Sequence, residues 1–366
     1  MIHLNKISMV QLFCLVILTQ VGVHILTIPS EESRHSGHDA WMSVLVGGVI
    51  AQLVIMIIYW LGTRHPHLPM PQYIISLVGK PIGIVLNLII AVYCLESSLL
   101  VVVSYADVIN RWVLYATPWI VQVGLLTAIA GYVASSTLRS IAAVTQIVMV
   151  MFLFCFVIIF ISGLGKGEIL HIFPIGSHGF GAIMKDSLPA FWAYAGYELL
   201  LYVFPYVKRK NKRSILFIMS AANGFTTLFY VLISIIVTFS FSENQLKAIP
   251  EPMIFILRQF HWPVLQNLDI VFITVWLSVT TVTVYVYLFL SARYLAFVHI
   301  QEIRNHSFLV WILAILCFAA AIWGADRQRI LQFSAYHNTA SILIVAVLPA
   351  MLLLISLARG RRAGFG

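Results

Sequence analysis

Apolar residues run along this chain in long unbroken stretches. Ten of them approach or exceed the roughly 20 residues that carry a helix across a ~30 Å hydrocarbon layer. They cover 7–29, 40–62, 82–108, 114–134, 139–163, 187–207, 213–241, 266–296, 307–324 and 337–358. No strand-type alternation or polar block interrupts them, so residues 1–366 read as one all-helical polytopic membrane domain. Two connections carry a pattern of their own. "RHPHLPMPQYIISLVGKP" has three prolines in its first half, which predicts a loop leading into a short interfacial piece. "SENQLKAIPEPMIFILRQFHWP" mixes polar and apolar residues and is too short to cross. It reads either as a lid-like hairpin along the membrane surface or as a loop with one amphipathic turn.

The first and sixth stretches share an interruption. "TQVGVHILTIP" places Gly22 near mid-membrane, His24 two positions on, and Pro29 beyond. "LPAFWAYAGYELLLYVFPYV" repeats the order with Gly196, Glu198 and Pro205. Glycine lowers the cost of leaving helical geometry, and proline removes a donor and disrupts the ladder before it. In a single helix this spacing is read as a kink or a packing point. The sixth lies five places on from the first, an odd number, so the two segments run in opposite directions, and matched interruptions point to an inverted-repeat transporter fold with its site between broken helices. The repeats then cover about 7–163 and 187–358. Freed amides at a half-helix end suit an anion such as a carboxylate, and freed carbonyls suit a cation.

Composition sharpens the membrane reading. Hydrophobic residues make up 61% and charged residues 10%, against about 45–50% and 25% in soluble domains. Mean hydropathy is +0.97. Lys6 precedes the first apolar run as in a signal peptide, but no small-residue cleavage site follows, so that run reads as a retained span. The net charge of +9 is concentrated in "KRKNKR" (Lys208–Arg213) and the terminal "RGRR", which speaks for topology setting and against nucleic acid. With the N-terminus inside, fourteen Lys and Arg fall on the inner side and eight on the outer, placing both termini in the cytoplasm. Cys14, Cys94, Cys155 and Cys317 lie singly in apolar stretches, without metal-ligand spacing, and read as buried free thiols.

Within the spans, Glu96 and Glu198 sit near the bilayer centre, where a carboxylate faces the protein interior. Neither has a basic partner of similar depth in the sequence. Each is a candidate to bind a substrate amine, to carry a coupling proton, or to hold a backbone group. Tyr93, Glu96 and Asp107 share one face of the third span. Thr274, Ser278, Thr281 and Tyr285 recur at helical spacing in the eighth, a stripe that either lines a polar cavity or glues helices together. His24 is a candidate titrating group as well as a candidate structural one. The loop histidines, His35/His38 and His65/His67 among them, are too sparse in sequence for a metal site, and no metal or cofactor is expected. No P-loop, nucleophile elbow or His-Glu-x-x-His motif is present, so an enzyme is not expected.

The stretches "KISMVQLFCLVILTQVGVHILTIP", "HDAWMSVLVGGVIAQLVIMIIYW", "PMPQYIISLVGKPIG" and "FPIGSHGFGAIMKDSLPAFWAYAGYELLLYVFPYV" together resemble the B subunits of spore-germination nutrient receptors. These form the spore permease branch of the amino acid–polyamine–organocation superfamily. The resemblance covers essentially the whole chain. It implies a LeuT-like fold in the spore inner membrane, A and C subunits as partners, and recognition of a small nutrient, commonly an amino acid. By position it implies ligand contacts from Gly22, Val23 and His24 in the broken first span and from Tyr194, Gly196, Tyr197 and Glu198 in the broken sixth. Tyr93, Glu96 and Ser97 of the third span and Ser278 and Thr281 of the eighth would complete the pocket. Some proton-coupled relatives place a lysine in the fifth span, whereas "SIAAVTQIVMVMFLFCFVIIF" has none. A receptor subunit, a proton-coupled amino acid permease and a channel subunit are therefore the competing functions.

Overall fold

The computed structural model describes residues 6–163, 167–208, 213–260, 267–297 and 306–359. Most of the basic run Lys208–Arg213, and the chain beyond Arg359, on which the expected orientation rests, lie outside them. Among the described residues, seven helices are long and apolar enough to cross a membrane. Among these, α2 (Ala40–Arg64), α4 (Lys80–Trp112), α6 (Leu138–Gly163) and α9 (Arg213–Ser240) match the second, third, fifth and seventh apolar stretches. The eighth and ninth correspond to α12 (Leu268–Ala296) and α13 (His306–Trp323). The fourth is the shorter α5 (Trp119–Ala134), whose entry Pro118 holds. The first and sixth are broken.

The first span begins as α1 (Met9–Gln20), set by a capping box in which Gln11 N donates to Ser8 Oγ and Ser8 N to Gln11 Oε1. It stops at Gln20. His24–Leu26 make one 3₁₀ turn, and the chain then runs through turns to a second at Gly37–Asp39 before α2. The second half of the 7–29 stretch is thus not a regular half-helix. The sixth span is α7 (Gly179–Ala193), an interruption at Tyr194–Gly196, then a 3₁₀ turn Tyr197–Leu199, the single turn α8 (Leu200–Val203) and a last 3₁₀ turn Phe204–Tyr206. A short backbone bridge ties the start of the first span to the end of the sixth, with Ile7 N donating to Tyr206 O and Lys208 N to Ile7 O.

The two patterned connections fold as short helices. α3 (Met70–Val78) is the interfacial piece, and α10 (Glu243–Ala248) with α11 (Pro252–Gln259) forms the hairpin. α11 buries Met253, Ile254, Ile256 and Leu257 and packs on α6, α9, α12 and the His24–Leu26 turn, so it covers the His24–Leu26 end of the first break. The tenth span starts ten residues earlier than hydropathy suggests. α14 (Arg327–Ser341) is capped by the Asp326 side chain, passes through a π-helical stretch at Ile342–Val347, and continues as α15 (Leu348–Ala358). Its first turn is polar because Arg327 reaches Asp107 and Glu251, both 3.5 Å away, where Arg111 also binds the same two carboxylates.

α12 runs through the middle of the bundle, buried at every residue from Val279 to Ala292. It packs on α1, α4, α5, α6 and α13. This placement decides which of its faces reaches the broken helices. The four cysteines are buried and unpaired.

Candidate functional site: two helix breaks and the wall beside them

Where α1 stops, its last carbonyls lose their intrahelical donors, and no water is available at this depth. Side chains from α9 and α12 replace them. Thr283 Oγ1 lies 3.3 Å from Leu18 O and 3.2 Å from Thr19 O, and Tyr230 OH donates to Gln20 O at 3.0 Å. Trp276 Nε1 donates to Gly22 O at 3.2 Å. The Gln20 side chain links the two breaks: its Nε2 donates to Tyr194 O at 3.0 Å, while its Oε1 accepts from Thr226 Oγ1 at 2.9 Å. Tyr230 OH also lies 3.2 Å from Ala193 O, so one hydroxyl serves both helix ends.

At the second break Gly196 adopts a φ of +133°, a conformation that side-chain-bearing residues rarely take. A Cβ there would stand 2.8 Å from Gln20 N and 2.9 Å from Thr19 C, so the backbones of the two breaks are in direct contact. Glu198 then closes the interruption. Its Oε2 accepts from Gly196 N at 2.6 Å and its Oε1 from Tyr287 OH at 2.5 Å. Each oxygen thus holds one partner and keeps one further acceptor site.

Tyr287 meets Tyr93 edge-on at 6.4 Å, and Tyr93 stacks flat on His337 of α14 with centroids 5.0 Å apart. His337 Nε2 lies 3.2 Å from Ser97 Oγ, and its Nδ1 is 3.9 Å from Glu96 Oε2. Glu96 therefore has a basic neighbour, contrary to the sequence reading, because α14 begins early enough to bring a histidine to the middle of α4. The Glu96 side chain remains 40% exposed and that of His337 8%, which makes Glu96 the open edge of an otherwise buried wall.

The residues expected at the site separate into four groups. Gly22, Tyr194, Gly196 and Glu198 form the breaks, and Tyr93, Glu96 and Ser97 form the adjoining wall. Val23 and His24 open the first 3₁₀ turn, where His24 O accepts from Thr27 N and Ile28 N; Tyr197 is buried with a hydroxyl that has no hydrogen-bond partner. Ser278 and Thr281 are not brought to the breaks. Their stripe lies about 200° around α12 from the face that reaches α1, with Thr281 bonding Leu277 O of its own helix and Tyr285 bonding Thr145 of α6. The face at the breaks is Trp276, Thr280, Thr283 and Tyr287, which also recurs at i, i+4, i+7 and i+11. Its aromatic members hid it from a search for hydroxyls alone. Gln20 and His337 were missed because the one ends an apolar run and the other falls in a polar helix.

The chain matches the family described as "Spore germination protein" over residues 6–329. It belongs to that family. Spore germination protein GerQB of Bacillus cereus is 25% identical over 276 residues, 74% of each chain. Spore germination protein YndE of Bacillus subtilis is 22% identical over 364 residues, 98% of each. Among solved structures, MhsT in complex with L-phenylalanine superimposes with a TM-score of 0.69 at 12% identity, covering 95% of this chain and 90% of that one. A Na⁺-coupled sialic acid symporter gives 0.71 at 9% identity, covering 97% and 79%. This spore germination protein therefore has the LeuT fold, a five-plus-five helical membrane architecture with helices one and six broken.

Proposed function

We propose that this protein is the nutrient-recognition subunit of a germinant receptor in the spore inner membrane, both termini cytoplasmic, working with A and C subunits. A small germinant, an amino acid by preference, binds beside the two breaks, between Glu198 and the Tyr93–His337 wall. Occupancy shifts the balance between open and occluded arrangements of the broken helices, and the partner subunits read that shift. The observation that carries this reading is the contact of the two breaks at Gly196 and Gln20 with Glu198 bridging to α12. A ligand that displaces either donor from Glu198 changes the geometry of the sixth span directly. The family membership and the transporter-type neighbours support the same reading.

The test is nutrient-triggered germination of spores carrying Glu198→Gln, with subunit abundance checked by immunoblot. Gln keeps one acceptor oxygen and puts an NH₂ donor in place of the other, so either Gly196 N faces a donor or the Tyr287 bond must reverse its direction. The nutrient requirement should rise roughly tenfold or more at normal abundance, the effect of losing a buried hydrogen bond to a charged group. Unchanged germination together with reduced uptake of labelled amino acid would transfer the assignment to a permease. That second reading, a proton-coupled amino acid permease, draws on the Glu96–His337 pair, whose open carboxylate suits proton exchange. It requires that the chain produced alone accumulate labelled amino acid.

A further inference from the structure

At the end of the bundle where α1 leads into α2, three connections far apart in sequence converge. His38 comes from the turn before α2, His178 from the residue before α7, and Glu243 from the first turn of α10. Their ligand atoms all lie within 4.8 Å of one another. His178 Nε2 is 3.3 Å from Glu243 Oε1, and His38 Nδ1 is 3.7 Å from Glu243 Oε2. Tetrahedral zinc with bonds of about 2.0–2.1 Å separates neighbouring ligand atoms by roughly 3.4 Å, so these spacings already match a coordination shell.

The tautomers agree with that geometry. His38 Nε2 sits 2.5 Å from Pro174 O, and a carbonyl oxygen only accepts, so this nitrogen carries the proton. Nδ1 then faces the carboxylate, and in the neutral ring its bare lone pair is the one free to bind a cation placed between them. His178 Nδ1 is 3.0 Å from Ser177 Oγ, a hydroxyl that accepts from it when Nε2 is left bare. A carbonyl or hydroxyl holding the far ring nitrogen is the support that metal-ligating histidines use. Glu243 is itself held by Lys247 Nζ, 2.9 Å from Oε1, and packs against Gly37, where a Cβ would stand 2.6 Å from the Glu243 carboxyl carbon.

We propose that His38, His178 and Glu243 bind a divalent transition-metal ion of zinc's class, which staples the turn after the first break to the approach of α7 and to α10. Two imidazoles and one carboxylate select zinc or a similar borderline ion over calcium or magnesium, which prefer all-oxygen shells. The ion would hold closed the end of the molecule that α11 covers. Lys247 is the competing cation and swings away into solvent when the metal binds.

The experiment is zinc stoichiometry of the full-length chain, purified without a histidine tag, equilibrated with zinc chloride and desalted, then read by elemental mass spectrometry and titration against a colorimetric zinc indicator. The parent should retain one zinc per chain. His178→Ala, at a partly exposed position, and Glu243→Gln should weaken retention by at least about tenfold, the loss that even an outer partner produces. Lys247→Gln should bind zinc more tightly, an outcome that misfolding does not produce. A parent that retains no zinc, a His178→Ala chain that retains as much as the parent, or equal loss in the control His67→Ala each overturns the proposal.

Discussion

The two helix breaks answer the same problem with different means. At the first, Gly22 has an ordinary backbone conformation, and the freed carbonyls of Leu18, Thr19, Gln20 and Gly22 are met by side chains of α9 and α12. At the second, Gly196 takes a positive φ and packs on the backbone of the first, and its freed N–H donates to a carboxylate two residues on. The carboxylates that follow the breaks differ too. Glu198 has both oxygens bonded, whereas Glu32, in the turns after Pro29, is buried with Oε2 lacking any partner. The first break is held by its neighbours and tolerates change; the second holds itself through one glycine and one acid.

The sharpest way to break this comparison is Gly196→Ala. It combines a strained φ with a Cβ inside contact distance of Gln20 N, and each effect costs about 1–3 kcal/mol. A loss of at least about 3 kcal/mol is expected, read as a large drop in melting temperature and abundance; a parent-like melting curve would mean the breaks do not touch. A smaller effect should follow Glu32→Gln. Burial, with Glu31 and Asp186 adding and Arg34 opposing, pushes the Glu32 carboxyl up to about 8. The unfolded chain releases this proton near its ordinary value of about 4.3. Between those values the folded state keeps a proton that the unfolded state has lost, so stability falls as pH rises toward 8. The glutamine variant lacks that fall, and its melting advantage over the parent should be larger at pH 8 than at pH 5. The smallest change should come from Gly22→Ala. Its Cβ meets only Thr283 Oγ1 at 3.1 Å, a side chain able to turn. The cost is about 1 kcal/mol, one neutral hydrogen bond; a loss as large as that of Gly196→Ala would erase the distinction between the breaks.

Much of this is legible in the sequence. Span positions followed from runs of apolar residues, and both interruptions from Gly22/Pro29 and Gly196/Pro205, because backbone donors in lipid leave few alternatives to an intact helix. The start of α14 was not readable, since Arg327 looks like a loop residue until Asp107 and Glu251 are placed opposite it. The face of α12 that meets the breaks was not readable for a similar reason. Two hydroxyl-bearing stripes of helical spacing occupy that helix, and periodicity cannot say which one α1 will meet.

Sequence by itself determined a polytopic helical membrane protein with two opposed breaks, because hydrocarbon thickness and backbone hydrogen bonding act locally along the chain. Tertiary structure alone decided that Glu96 meets His337, that Glu198 meets Tyr287, and that His38, His178 and Glu243 converge from three connections. Those pairs lie from 65 to more than 200 residues apart. Their meeting depends on how the helices rotate and stack around α12, a packing outcome that no local pattern encodes.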